Sequence, residues 1–117
     1  MVYRDQNDET LVMLTLAGEQ RAYEVLVARY ENAVIAAAHS VIHSRYMAED
    51  AAQDAFITAW MKLNVLREPD KYGAWVCRIA RNCAKNMVVR ARSYLSLDVL
   101  ENCISEDELD RTQINGH

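Results

Sequence analysis

One proline and three glycines in 117 residues leave this sequence few places to turn. A chain so poor in turn residues reads most economically as long helices joined by short loops. No apolar run reaches the ~18 residues that a membrane-crossing helix needs, so no membrane insertion is expected. The opening stretch, MVYRDQNDETL, is acidic and has no apolar signal core, which points to the cytoplasm. Cysteine is scarce as well: Cys77, Cys83 and Cys103 are odd in number and form no C-x-x-C pair. They read as reduced thiols, neither a disulfide framework nor a zinc site. Cys77 stands beside Arg78, a cation able to lower a thiol pKa, but a small buried helix residue is its plainer role.

A further absence is local. From Lys71 to Leu97 there are 27 residues with six Lys or Arg and no Asp or Glu. Residues 1–70 hold six basic and eleven acidic side chains, and residues 98–117 hold one basic and six acidic. The net charge of −4 and the pI near 5.3 therefore hide a cationic segment between two anionic ones. For an anionic partner, distribution matters more than the total.

What is present is a globular composition, 51% hydrophobic and 26% charged, at a length suited to one domain with a modest core. Asp8 and Glu9 precede TLVMLTLAG, an acidic helix start with a glycine stop at Gly18. From Glu19, the residues Ala22, Leu26, Tyr30, Val34, Ala37, Ala38 and Val41 recur every three or four positions, an amphipathic helix fraying near HSRYM. AEDAAQDAFITAWMKLNVL predicts a third helix with Ala52, Ala55, Phe56, Ala59, Trp60 and Leu63 as its apolar stripe and Glu49-Asp50 at the positive end of its dipole. Pro69 biases Glu68 away from helix, and Asp70 is the expected N-cap of a fourth helix from about Tyr72 to Arg92. After Ser96 the pattern dissolves into an acidic tail with at most a short helical piece. The fold class expected is all-α: a compact bundle of about four helices with a mostly irregular C-terminal tail.

On a helical wheel, Arg81, Lys85 and Arg92 fall within roughly 60° of Arg78, while Val76, Ile79, Ala80, Cys83 and Met87 lie opposite. Trp75, Asn82 and Asn86 occupy one shoulder between the two stripes. Cations neutralise phosphates, amides hydrogen-bond base edges and aromatic rings stack on unpaired bases, so this set suits nucleic acid. Lys71 and Tyr72 stand close by in the preceding loop, and burial of Trp75 in the core is the competing reading for that residue.

Asp50, Gln53 and Asp54 stand at i, i+3 and i+4 and share one exposed face of the third helix. No nucleophile or base motif accompanies them, so no catalytic residue is expected and a docking face for a basic partner is the better reading. His39 and His43 have a spacing able to clamp a metal, but no third ligand stands at a matching interval. No metal and no cofactor are expected.

At this point the residues resemble a known family. AEDAAQDAFITAW followed by WVCRIARNCAKN is similar to the second conserved region of bacterial sigma factors of the sigma-70 superfamily, above all the extracytoplasmic-function group. DETLVMLTLAGEQRAYEVLVARYENAV resembles the first helices of that domain, and the likeness covers about residues 8–97. The resemblance implies that Asp50, Gln53 and Asp54, with Phe56 and Trp60 shaping the same helix, dock on the clamp helices of the RNA polymerase beta-prime subunit. It implies that Lys71, Tyr72, Trp75, Arg78, Arg81, Asn82, Lys85 and Asn86 open the promoter −10 element and hold flipped bases of its non-template strand. Arg90 and Arg92 are then expected on the phosphate backbone, and an anti-sigma factor as a further partner.

A complete family member continues into a second helical domain that reads the −35 element, whereas this sequence stops at His117 inside what resembles the linker. The expected organisation is a region 2 domain over 1–96 and an acidic linker over 97–117, without the −35-reading domain. The flanking negative charge predicts poor promoter binding by the free domain and useful binding only on the polymerase. Two other classes stay open on the sequence: a general helical DNA-binding or adaptor protein without polymerase docking, and an enzyme built on Asp50 and Asp54 or on a metal at His39 and His43.

Overall fold

In the computed structural model, the backbone is described for residues 2–102 and the side chains for residues 2–95. Four α-helices follow a 3₁₀ turn at Tyr3–Asp5: α1 (Asp8–Leu16), α2 (Gln20–His39), α3 (Arg45–Met61) and α4 (Tyr72–Asn102). Two further 3₁₀ turns, Leu63–Val65 and Pro69–Lys71, join α3 to α4, and no strand occurs among the described residues. The chain divides into two units, Met1–Ala84 and Lys85–His117.

The helix ends have local causes. The Asn7 side chain caps α1 by accepting from the Thr10 amide at 2.8 Å, with Asp8 and Glu9 in the first turn where the helix dipole favours them. At the other end, Gly18 takes φ 105°, the Gly18 amide donates to Thr15 O and the Glu19 amide donates to Leu14 O. That pair of bonds is a Schellman ending, and its left-handed position favours glycine.

The third helix begins earlier than its sequence pattern predicts. Ser44 caps it, accepting from the Met47 amide at 3.3 Å, so Glu49 and Asp50 lie beyond the first turn and no acidic residue stands at the dipole's positive end. Glu49 instead pairs with Arg45 one turn back at 2.8 Å. The helix also stops sooner, at Met61, and the buried Leu63 belongs to the 3₁₀ turn that follows.

Glu68 is extended ahead of Pro69, as expected of a residue before proline. Asp70 is not an N-cap: it lies inside the Pro69–Lys71 turn, which runs straight into α4. The fourth helix continues past Arg92 to Asn102, longer than predicted, and the rest of the expected acidic tail, with Cys103, lies outside the described residues.

In the first unit, α1 and α3 both pack on α2. Leu11 and Val12 of α1, Ala22, Leu26, Val34 and Ala38 of α2, and Val76 and Ala80 of α4 are buried. The buried side of α3 is dominated by alanine, at 48, 51, 52, 55 and 59. Small side chains there let neighbouring helices approach closely, which brings the aromatic groups described next within reach of one another.

Candidate polymerase and nucleic-acid interfaces

Two surfaces of the first unit, on α3 and on the start of α4, carry most of the sequence-predicted groups, and an aromatic cluster lies between these elements. Asp50, Gln53 and Asp54 are all exposed on α3. Phe56 is buried on the inner side of the same helix. Trp60, expected in the apolar stripe, is 49% exposed. It is not a core residue but lies at the edge of the core, one ring face stacked on Tyr23 at 6.1 Å between centroids. Sequence reasoning passed over its neighbours: Ile57 is 55% and Met61 74% exposed, spaced along α3 with Asp50, Gln53 and Asp54 at intervals of three and four. The periodicity was the available signal, since apolar residues off the buried stripe of a helix must face outward.

The cationic surface begins at Lys71, which is exposed and 3.9 Å from Glu68. Arg78, Arg81 and Asn82 are exposed on α4, whereas Val76 and Ala80 are buried and Ile79 is half-buried, as the wheel requires. In the second unit Lys85, Asn86, Arg90 and Arg92 are exposed too. Among the described residues none of Arg78, Arg81, Lys85, Arg90 and Arg92 makes an ion pair, while Arg29 and Arg45 do. Without a carboxylate within helical reach, these α4 cations keep their full charge for an outside partner.

Tyr72 requires a correction. Grouped by sequence with the base-holding residues, it is fully buried, with 0% of its surface exposed. Its hydroxyl donates to the Tyr23 hydroxyl at 3.0 Å, and the Tyr23 hydroxyl donates to the Phe56 carbonyl at 2.5 Å. Burial raises the pKa of both phenols, so they stay protonated and able to donate. The Tyr72 ring meets Tyr23 edge-on at 6.2 Å, Tyr30 at 5.8 Å and Trp75 at 6.1 Å. Trp75 is half-buried, neither a core residue nor free of the core.

Tyr30 completes the support. Its hydroxyl donates to the Asp8 carboxylate, which also accepts from Arg29 at 2.7 Å, and Arg29 reaches the carbonyls of Arg4 and Gln6. Burial and the Asp8 hydrogen bond push the Tyr30 phenol up to about 12. The Tyr30 ring lies so close to Gly73 that a Cβ there would come within 2.5 Å of Cε1. Glycine therefore sets how near the first turn of α4 can come to α2.

The His39 and His43 rings are 6.2 Å apart and exposed, and the described residues hold no cluster of three or more His, Cys, Asp or Glu able to bind a metal. Cys77 is half-buried, and burial raises its thiol pKa against a smaller lowering influence from Arg81. No helix among the described residues is long and apolar enough to cross a membrane.

With this geometry in view, the sequence matches the family model for Sigma-70 region 2 over residues 26–94. It is 35% identical over 95 residues to the RNA polymerase sigma-H factor of Pseudomonas aeruginosa, covering 80% of this chain and 49% of that protein. It is 36% identical over 97 residues to the ECF RNA polymerase sigma-E factor of Escherichia coli K12, covering 79% of this chain and 48% of that protein. No solved structure matches. The chain belongs to the Sigma-70 region 2 family. It spans about half the length of the curated relatives it matches.

Proposed function

We propose that this chain is the core-binding and promoter-opening part of an RNA polymerase sigma factor, with no catalytic chemistry of its own. The observation that carries the reading is the separation of two exposed faces on a Sigma-70 region 2 domain. One is acidic with apolar neighbours, on α3; the other is cationic and free of carboxylates, on α4.

In this reading Asp50, Gln53 and Asp54 meet basic side chains of the beta-prime clamp helices, and Ile57, Trp60 and Met61 supply the apolar area that such a contact needs at its centre. Lys71, Arg78 and Arg81 neutralise phosphates of the non-template strand of the −10 element, Asn82 hydrogen-bonds a base edge, and Trp75 offers the exposed part of its ring to an unstacked base. In the second unit, taken by itself, exposed Lys85, Arg90 and Arg92 neutralise phosphates and exposed Asn86 offers an amide to a base edge. Tyr72 acts from beneath, supporting Trp75 without touching DNA. The domain occupies 1–96 and the acidic segment 97–117 acts as a linker; an anti-sigma factor and a cytoplasmic location follow from the same family reading.

Flipping a base out of the stack costs a few kcal/mol, against about 1–3 kcal/mol regained per stacked base. That balance is close, so strand capture depends on the polymerase to hold the DNA open. The test is binding of the chain to a fragment carrying the beta-prime clamp helices, wild type beside Asp50→Arg, followed by capture of a single-stranded −10 oligonucleotide by the complex. Binding lost in the variant supports the reading. A folded wild-type chain that ignores the fragment but binds duplex DNA overturns it in favour of a general DNA-binding protein.

A further inference from the structure

Tyr23, Tyr72, Trp75 and Trp60 form one continuous cluster of ring contacts, joined by two hydrogen bonds. The buried hydroxyls form a directed chain, Tyr72 to Tyr23 to the Phe56 carbonyl, crossing from the first residue of α4 through α2 to the middle of α3. The rings run beside it: Trp60 on Tyr23, Tyr23 against Tyr72, and Tyr72 against Trp75. One end is an exposed indole on the acidic face of α3, and the other is the half-buried indole at the edge of the cationic face.

Resting on the sigma reading above, we propose that Tyr23 is a positioning residue for base capture: through Tyr72 it fixes the placement of Trp75 relative to the α3 docking helix. The hydrogen-bond directions make the roles of the two tyrosines unequal. Tyr72 sits at the donating end, so its loss orphans nothing: Tyr23 still donates to Phe56, whose carbonyl can also serve the helix. Tyr23 sits in the middle. Its loss leaves the Tyr72 hydroxyl, fully buried, without its acceptor. An unsatisfied buried hydroxyl is costly, whereas removing both members of such a pair can be nearly neutral. Tyr72 then shifts to find another acceptor, and Trp75, whose ring packs on it, moves with it.

The experiment uses the full chain with polymerase core and a fluorescent single-stranded −10 oligonucleotide, and follows core binding separately. Tyr23→Phe is expected to weaken oligonucleotide capture roughly fivefold or more while core binding stays within about twofold. Tyr72→Phe alone is expected to do less, and the Tyr23→Phe/Tyr72→Phe double variant to recover most of the loss, the opposite of two additive packing defects. In a Trp75→Ala background Tyr23→Phe should cost nothing more. An unchanged capture by Tyr23→Phe, a double variant worse than either single one, or an undiminished Tyr23→Phe effect without Trp75 each overturns the proposal. Failure of wild type to bind core at all overturns the sigma reading instead.

Discussion

The outward faces of α3 and of the first-unit part of α4 are built to opposite recipes. On α3, Asp50, Gln53 and Asp54 share their surface with Ile57, Trp60 and Met61, three large side chains left half to three-quarters exposed. On the first-unit part of α4, Arg78, Arg81 and Asn82 are exposed and no large apolar residue is. A face mixing charge with apolar area suits a folded protein partner, which excludes water from the centre of the contact. A cationic face with an amide among its charges suits a polyanion, whose phosphates are met largely at the surface and whose affinity comes from released counterions. The two surfaces of this small domain thus differ in kind as well as in charge.

Charge reversal on the α3 face is expected to have the largest effect. Asp50→Arg is expected to lower binding to polymerase core by roughly a hundredfold, the scale of reversing a close interfacial charge pair. Its melting curve should stay close to wild type, since the position is exposed. A variant that loses binding and stability together would show that Asp50 serves the fold.

The corresponding change on α4 should leave docking alone. Arg78→Ala with Arg81→Ala is expected to weaken single-strand capture about tenfold at low salt and to flatten its salt dependence by roughly 1.4 in log–log slope, about 0.7 for each lost phosphate contact. Titrations across a salt series check both numbers, and an unchanged slope would remove these residues from the phosphate path.

The joint between the faces can be loosened without touching either. Gly73→Ala places a Cβ against the Tyr30 ring, which is held by Asp8 and Tyr72 and cannot swing away freely. A loss of about 1–3 kcal/mol is expected, in the range of overpacked sites, and denaturant unfolding measures it. Asn82→Ala, exposed and without a structural partner among the described residues, should leave stability and docking unchanged. It should blur the −10 base preference by about 1 kcal/mol, the worth of a modest side-chain hydrogen bond, in competition between oligonucleotides of different sequence.

The smallest effect concerns pH. The Tyr30 phenol is raised from 10.0 to about 12, so the folded state holds its proton more tightly than the unfolded chain. Its contribution to stability is therefore complete below about pH 10 and is lost as pH rises through about 12. Tyr30→Phe should remove part of that alkaline decline, and melts at stepped pH would show it; identical declines would place the titration elsewhere.

Much of this was legible in one dimension. Period-3.6 patterning marked α2, α3 and α4, the acidic start and the Gly18 stop marked α1, Pro69 marked the break before α4, and the 27-residue gap in carboxylates marked the cationic face. Helix ends were read less well because short polar side chains decide them. Ser44 sets the start of α3 and does not belong to the apolar pattern, whereas α1 begins at Asp8, as its acidic start predicts. Trp60 was read in the apolar stripe as well as on the docking helix, because an aromatic residue at the rim of a helix stripe fits either side by periodicity; Tyr72, read as part of the loop before α4, had no periodicity to show its burial.

Sequence by itself determined the helices, the segregation of charge and the family, because each depends on residues near one another along the chain. Packing in three dimensions put Tyr72 in the core and Trp60 at its edge, and made Tyr23 the link between three helices. Those outcomes depend on which hydroxyl finds which acceptor across 33 and 49 residues of chain, and packing alone brings such groups together.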